Sequence, residues 1–103
     1  MEKLILTGAS GLLGSKICEF ARKSYRVTPL HNTRPLHPNS LKLDITNPNQ
    51  VSHLFNNSKP YIVVHTASET NVDKCETQEE HAWNVNVEGT RNVAEAAPKQ
   101  ARN

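Results

Sequence analysis

Apolar residues fall along this chain in two alternating rhythms. Lys3 to Thr7 is a short apolar run closed by Gly8, the pattern of a parallel strand buried on both faces. Leu13, Ile17, Phe20 and Ala21 then recur at helical spacing as far as Lys23. Tyr25, Val27 and Leu30 mark a second strand over Tyr25 to Leu30. The stretch from His31 to Asn39, with two prolines and no period, predicts a loop. Leu41 to Ile45 makes a third, short strand. Asn47-Pro48 then opens a helix, with Thr46 or Asn47 as its cap and Val51, Leu54 and Phe55 on its inner face.

Pro60 to His65 is the most β-prone run and does not alternate, which predicts a fourth parallel strand buried on both faces. A long helix is expected after it. Thr77 and Glu80 form a capping box, and Ala82, Asn86, Gly89, Val93 and Ala96 share a stripe that ends at Pro98. Asn86 stands out in that small-residue stripe, because a buried amide must find hydrogen-bond partners. Right-handed crossovers between these elements give a parallel sheet ordered 3-2-1-4. A ligand then belongs at the carboxyl edge, where the order reverses between strands one and four. The fold class is therefore α/β.

At that edge Gly8, Gly11 and Gly14 stand three apart, between the first strand and its helix. Glycines there permit a sharp turn and a close backbone approach, and the new helix presents free N–H groups and the positive end of its dipole. The loop reads as a pyrophosphate cradle, one residue looser than the usual Gly-x-Gly-x-x-Gly dinucleotide fingerprint.

Composition narrows the partners. With 103 residues the chain forms one domain at most, small for a complete dinucleotide-binding domain. Twelve Lys plus Arg against ten Asp plus Glu leave a net charge of +2 with no basic stripe, so neither nucleic acid nor a membrane surface is expected as partner. No leader or long apolar segment is visible, which points to a cytoplasmic location, and Cys18 and Cys75 read as separate reduced thiols. The five histidines show no ligand spacing and give no metal site.

The loop after strand two carries no acid to grip an adenine ribose. Its one charged residue, Arg34, could with Asn32 and Thr33 accept a 2′-phosphate instead, which favours NADP or dual use; the alternative is a solvated arginine. Asp44 and Ile45 end strand three where adenine would lie, although Asp44 could simply help cap the next helix. His65-Thr66-Ala67-Ser68 ends strand four, and with Thr70 lies where a cofactor's second ribose would pass. His65 reads as structural rather than catalytic, for want of a visible partner. Asp73, Glu76, Glu79 and Glu80 suit a helix start and are assigned no catalysis. Trp83 lies off the small-residue stripe, buried or at a contact.

Three stretches resemble the extended short-chain dehydrogenase/reductases: Thr7 to Gly14, Leu43-Asp44-Ile45-Thr46, and Val85-Asn86-Val87-Glu88-Gly89-Thr90. The run His65 to Glu76 is similar to the segment after strand four in dTDP-4-dehydrorhamnose reductases and in the regulatory β subunit of methionine adenosyltransferase. The resemblance implies a Rossmann-like NAD(P)-binding domain, partial and truncated, over residues 1–103. It implies Gly8, Ser10, Gly11, Leu12, Leu13 and Gly14 around the pyrophosphate, Asp44 and Ile45 at adenine, Ala67, Ser68 and Thr70 beside the nicotinamide ribose, and a supporting role for Asn86.

The family reaction is hydride transfer from the nicotinamide to a 4-keto nucleotide sugar, with a tyrosine as acid and a lysine four residues later. Here the residues four beyond Tyr25 and Tyr61 are Pro29 and His65, so the pair is missing and no complete catalytic set is expected. The chain corresponds to roughly the first third of such a protein. An NAD(P)-binding regulatory subunit and a nucleotide-free interaction module are the competing readings. With strand four apolar on both faces, self-association through its open edge, or docking of a C-terminal lobe, is also expected.

Overall fold

A computed structural model of the chain describes residues 1–32, 39–66 and 84–97. Four strands, β1 (Lys3–Thr7), β2 (Arg26–His31), β3 (Leu41–Lys42) and β4 (Ile62–His65), form one sheet in the order β3-β2-β1-β4. All neighbours are parallel, with Leu4 opposite both Val27 and Ile62, and Thr7 opposite His65. The expected order and the doubly covered central strand are both present, as in a Rossmann-like sheet.

Successive residues of β1 point to opposite faces, and each face has its own core. Leu4 and Leu6 meet Ala9 and Cys18, beneath α1 (Leu12–Ala21). On the other face Ile5 joins Leu30, Leu43, Ile45, Val51, Phe55 and Val93, under α2 (Pro48–Ser58) and α3 (Thr90–Ala96). The α2 helix begins as the sequence predicts. Asn47 is the cap, its Oδ1 accepting from the amides of Asn49 at 3.0 Å and Gln50 at 3.2 Å, and Pro48 fills the first helical position. The helix ends on Lys59 in the left-handed conformation, φ 49°, whose N–H donates to the Phe55 carbonyl.

Four expectations are corrected. The third strand stops at Lys42 rather than Ile45, because Asp44 Oδ1 accepts from the Thr46 amide and hydroxyl at 3.0 and 2.7 Å, a local turn that competes with the ladder. On α1 the buried positions are Gly14 and Cys18. Leu13 and Phe20, expected inward, are 65 % and 67 % exposed, because the helix settles on its glycine and leaves them on its flank. In β4 every residue is half-buried rather than enclosed, and no strand among the described residues pairs with its outer edge.

The fourth correction concerns the stripe at the last helix. Residues Asn84–Gly89 form a π-helix that runs into α3, and its wider turn rotates Asn86 out to solvent while Gly89 and Val93 stay buried. Ala96 is half-buried against the core. The helix stops at Ala97, extended at ψ 146° as the residue before Pro98 must be. Thr77, Glu80, Ala82, Trp83 and Cys75 lie outside the described residues.

Leu30, 2 % exposed at the centre of the larger core, and Phe20, two-thirds exposed, make a contrasting pair. Leu30→Ala should cost about 2–5 kcal/mol of stability in a denaturant titration. Phe20→Ala should change stability by no more than about 0.5 kcal/mol.

Candidate functional site

The carboxyl ends of β1, β2 and β4 converge where the sheet order switches, and the glycine loop is built on that edge. Gly8 takes a left-handed φ of 65°, which turns the chain out of β1. The Ala9 amide then donates to the Leu30 carbonyl at 3.0 Å, tying the loop to the end of β2. The Gly11 amide donates to the Gly8 carbonyl at 3.0 Å and closes the turn. Gly14 is required by packing, because a Cβ there would overlap the Gly8 carbonyl and stand 3.0 Å from Thr66 Oγ1.

Gly11 differs from the other two. Its φ of −75° suits any residue, and among the described residues a Cβ would meet only the Gly8 oxygen at 3.4 Å, an ordinary contact. Neither the loop's backbone nor its packing among the described residues calls for a glycine at this position. As N-cap of α1 it brings no capping side chain, the first turn holds no acid, and the Leu12 and Leu13 amides have no partner within the helix. Amides without a side-chain cap, a positive dipole end and an exposed backbone that no described side chain covers are features that favour an anion. Ser10 sits half-buried in the same loop; Leu12 and Leu13 lie exposed beside it.

Behind the loop is a chain of hydroxyls that sequence reasoning did not single out. Thr7, 1 % exposed, has its Oγ1 2.7 Å from His65 Nδ1 and accepts from the Thr66 amide at 3.0 Å. Thr66 Oγ1 donates to the Thr7 carbonyl at 2.7 Å and more weakly to the Gly8 carbonyl at 3.3 Å. Across the ring, His65 Nε2 is 2.9 Å from Thr90 Oγ1, whose proton goes to the Asn86 carbonyl at 2.8 Å. His65 therefore has two partners where the sequence showed none, and burial pushes its pKa below the ordinary 6.5. The available signal was positional: parallel pairing sets Thr7 directly opposite His65.

The adenine candidates separate. Asp44 is half-buried, with Oδ1 engaged by Thr46 and Oδ2 without a partner among the described residues. Ile45 belongs first to the core, 7 % exposed, and its carbonyl accepts from Asn92 Nδ2 at 2.9 Å. Asn32 is exposed at the end of β2, where His31 Nδ1 lies 2.7 Å from Ser40 Oγ. Arg34, Thr33, Ala67, Ser68 and Thr70 fall outside the described residues. Among the described residues there is no metal-binding cluster and no helix long and apolar enough to cross a membrane.

Comparison with known proteins matches residues 1–102 to the family described as RmlD substrate binding domain. A dTDP-4-dehydrorhamnose reductase of Aggregatibacter actinomycetemcomitans is 33 % identical over 99 residues, 94 % of this chain and 31 % of that protein. Methionine adenosyltransferase 2 subunit beta of Pongo abelii is 29 % identical over 97 residues, 93 % of this chain and 29 % of that one. The crystal structure of the Bacillus anthracis dTDP-4-dehydrorhamnose reductase in complex with NADP superposes with a TM-score of 0.76 at 34 % identity, covering 92 % of this chain and 31 % of the other. The chain thus spans a little under a third of these relatives.

The two inner glycines should respond differently to a methyl group. Gly14→Ala should destabilise by about 1–3 kcal/mol through overpacking, whereas Gly11→Ala should melt close to the parent. Because the folded chain favours neutral His65, its contribution should be fully present above pH 6.5 and lost as pH falls from 6.5 through the lowered value. Chemical denaturation at a series of pH values, with His65→Asn alongside, measures that loss.

Proposed function

The chain belongs to the family described as RmlD substrate binding domain, and from that premise we propose that it is the NAD(P)-binding portion of a nucleotide-sugar reductase of the dTDP-4-dehydrorhamnose reductase type. The observation that carries this reading is Gly11, a glycine that its backbone conformation and its packing among the described residues leave unexplained and that close approach of a phosphate explains. The NADP recorded in the Bacillus anthracis relative supports the same ligand class.

The dinucleotide would supply a hydride, and the residues of this chain bind and orient it. Gly8, Ser10, Gly11, Leu12, Leu13 and Gly14 surround the pyrophosphate, which meets the amides opening α1. Asp44 offers to the adenine amino group its Oδ2, which has no partner among the described residues. Arg34 takes the 2′-phosphate of NADP, and Ala67, Ser68 and Thr70 flank the second ribose. Asn86 plays a supporting role through the helix that follows β4.

Reduction of a ketone also needs a proton donor held at the developing alkoxide, and these 103 residues contain no Tyr-x-x-x-Lys pair. Coenzyme binding without turnover is the behaviour expected of this polypeptide alone.

Calorimetric titration should show NADP binding at least as tightly as NAD. Arg34→Ala should narrow that gap by about 1–2 kcal/mol. Gly11→Val, which fills the approach path, should bind neither; parental affinity in that variant would remove the loop from the site. NADPH oxidation with dTDP-4-dehydrorhamnose should be absent for the isolated chain, and turnover by it would contradict the assignment.

A further inference from the structure

The side chain of Thr66, the first residue beyond β4, ends where three parts of the glycine loop meet. Its Oγ1 lies 2.7 Å from the Thr7 carbonyl oxygen and 3.3 Å from that of Gly8, and 3.0 Å from the place a Cβ on Gly14 would take. Carbonyls only accept, so the single hydroxyl proton is shared between the two, the larger part going to Thr7. These carbonyls belong to consecutive peptides, and the torsions of Gly8 between them set how the two lie relative to each other. Gly8 holds a left-handed φ of 65° with no Cβ to limit its range. One hydroxyl facing both carbonyls therefore restrains, from outside the loop, the residue that is freest to move within it.

The restraint is passed along the loop. The Gly8 carbonyl also accepts from the Gly11 amide at 3.0 Å, and Gly11 is the N-cap from which α1 starts. The direction of that carbonyl thus sets where Gly11 sits, and with it the Leu12 and Leu13 amides that have no partner within the helix.

We infer that Thr66 is a positioning residue for the start of α1: its hydroxyl, held against the Thr7 and Gly8 carbonyls, fixes the turn at Gly8 and so aims the Leu12 and Leu13 amides at the pyrophosphate. The ligand half rests on the dinucleotide reading above; the restraint on Gly8 does not. A carbonyl oxygen has two lone pairs, so the role stands whatever else Thr7 accepts. Valine has the shape of threonine with a methyl group in place of the hydroxyl. That methyl has no proton to share and cannot stay 2.7 Å from an oxygen, since carbon–oxygen contacts begin at about 3.3 Å, and the loop must yield. Serine keeps the hydroxyl.

The test compares the parent with Thr66→Val, Thr66→Ala and Thr66→Ser, by calorimetric titration of NAD and by proton–nitrogen-15 NMR of the ligand-free proteins. Thr66→Val should bind NAD about tenfold more weakly, the loss of one hydrogen bond, and its Gly11 amide proton should move upfield as the bond to Gly8 lengthens. Thr66→Ala, which removes the donor without crowding the carbonyls, should move both readings in the same direction. Thr66→Ser should return NAD affinity to within about twofold of the parent and the Gly11 resonance to its place. A Thr66 that served stability alone would lower the melting points of the variants and leave the affinity of the folded protein unchanged. Parental affinity in both Thr66→Val and Thr66→Ala, or a loss in Thr66→Ser equal to theirs, overturns the role at the ligand. A Gly11 resonance that none of the variants moves overturns the restraint on Gly8. In the parent, three-bond couplings of Thr66 should report one χ1 rotamer, and averaging over rotamers overturns the restraint even if no variant folds. Absence of NAD binding in the parent overturns the dinucleotide reading and the ligand half with it, while the couplings and the Gly11 resonance still decide the restraint.

Discussion

A parallel strand buried on both faces has to end somewhere, and the end of β1 is where this molecule resolves the polar groups that burial strands. Thr7 is the one buried polar residue among those described. Its hydroxyl and carbonyl are both bonded to the end of β4, and no described buried side-chain polar atom is left without a partner. That solution locks the two central strands together at the point where the sheet order reverses, and it holds the first residue of the glycine loop from behind. Core packing on the two faces of β1 stabilises the sheet. The hydroxyl network determines the shape of its edge.

The three glycines divide the work of the loop. Gly8 turns the chain, Gly14 lets α1 lie against β1, and Gly11 is held by neither its φ nor its packing among the described residues. Two of them answer to conformation and packing, and the third is the one the proposed dinucleotide site would use. The same division holds just beyond β3. Asp44 spends one carboxylate oxygen on the local turn and the other meets no described residue, while its neighbour Ile45 is committed to the core.

The sheet order, the glycine loop and the Asn47 cap were legible in the sequence, because each rests on local chemistry: an apolar run, a residue without a Cβ, an amide that caps a helix start. Two of the four corrections concern which face a helix presents. Leu13 and Phe20 were assigned inward from their period, yet period gives only the width of an apolar face, not which part of it meets the sheet. Asn86 was placed in a stripe that assumed an unbroken α-helix, and the π-turn shifted its face.

What the sequence determined by itself was the order of the strands in the sheet and the place of the glycine loop between β1 and α1, since these follow from side-chain periodicity, backbone freedom and the handedness of crossovers. What only the tertiary structure decided was which groups meet at the edge. Thr7, His65, Thr66 and Thr90 are up to 83 residues apart in sequence, and no pattern in one strand announces the hydroxyl that another will place against it. Hydrogen bonds between strands depend on register and on a helix returning at the right angle, and both are properties of the packed sheet rather than of any segment within it.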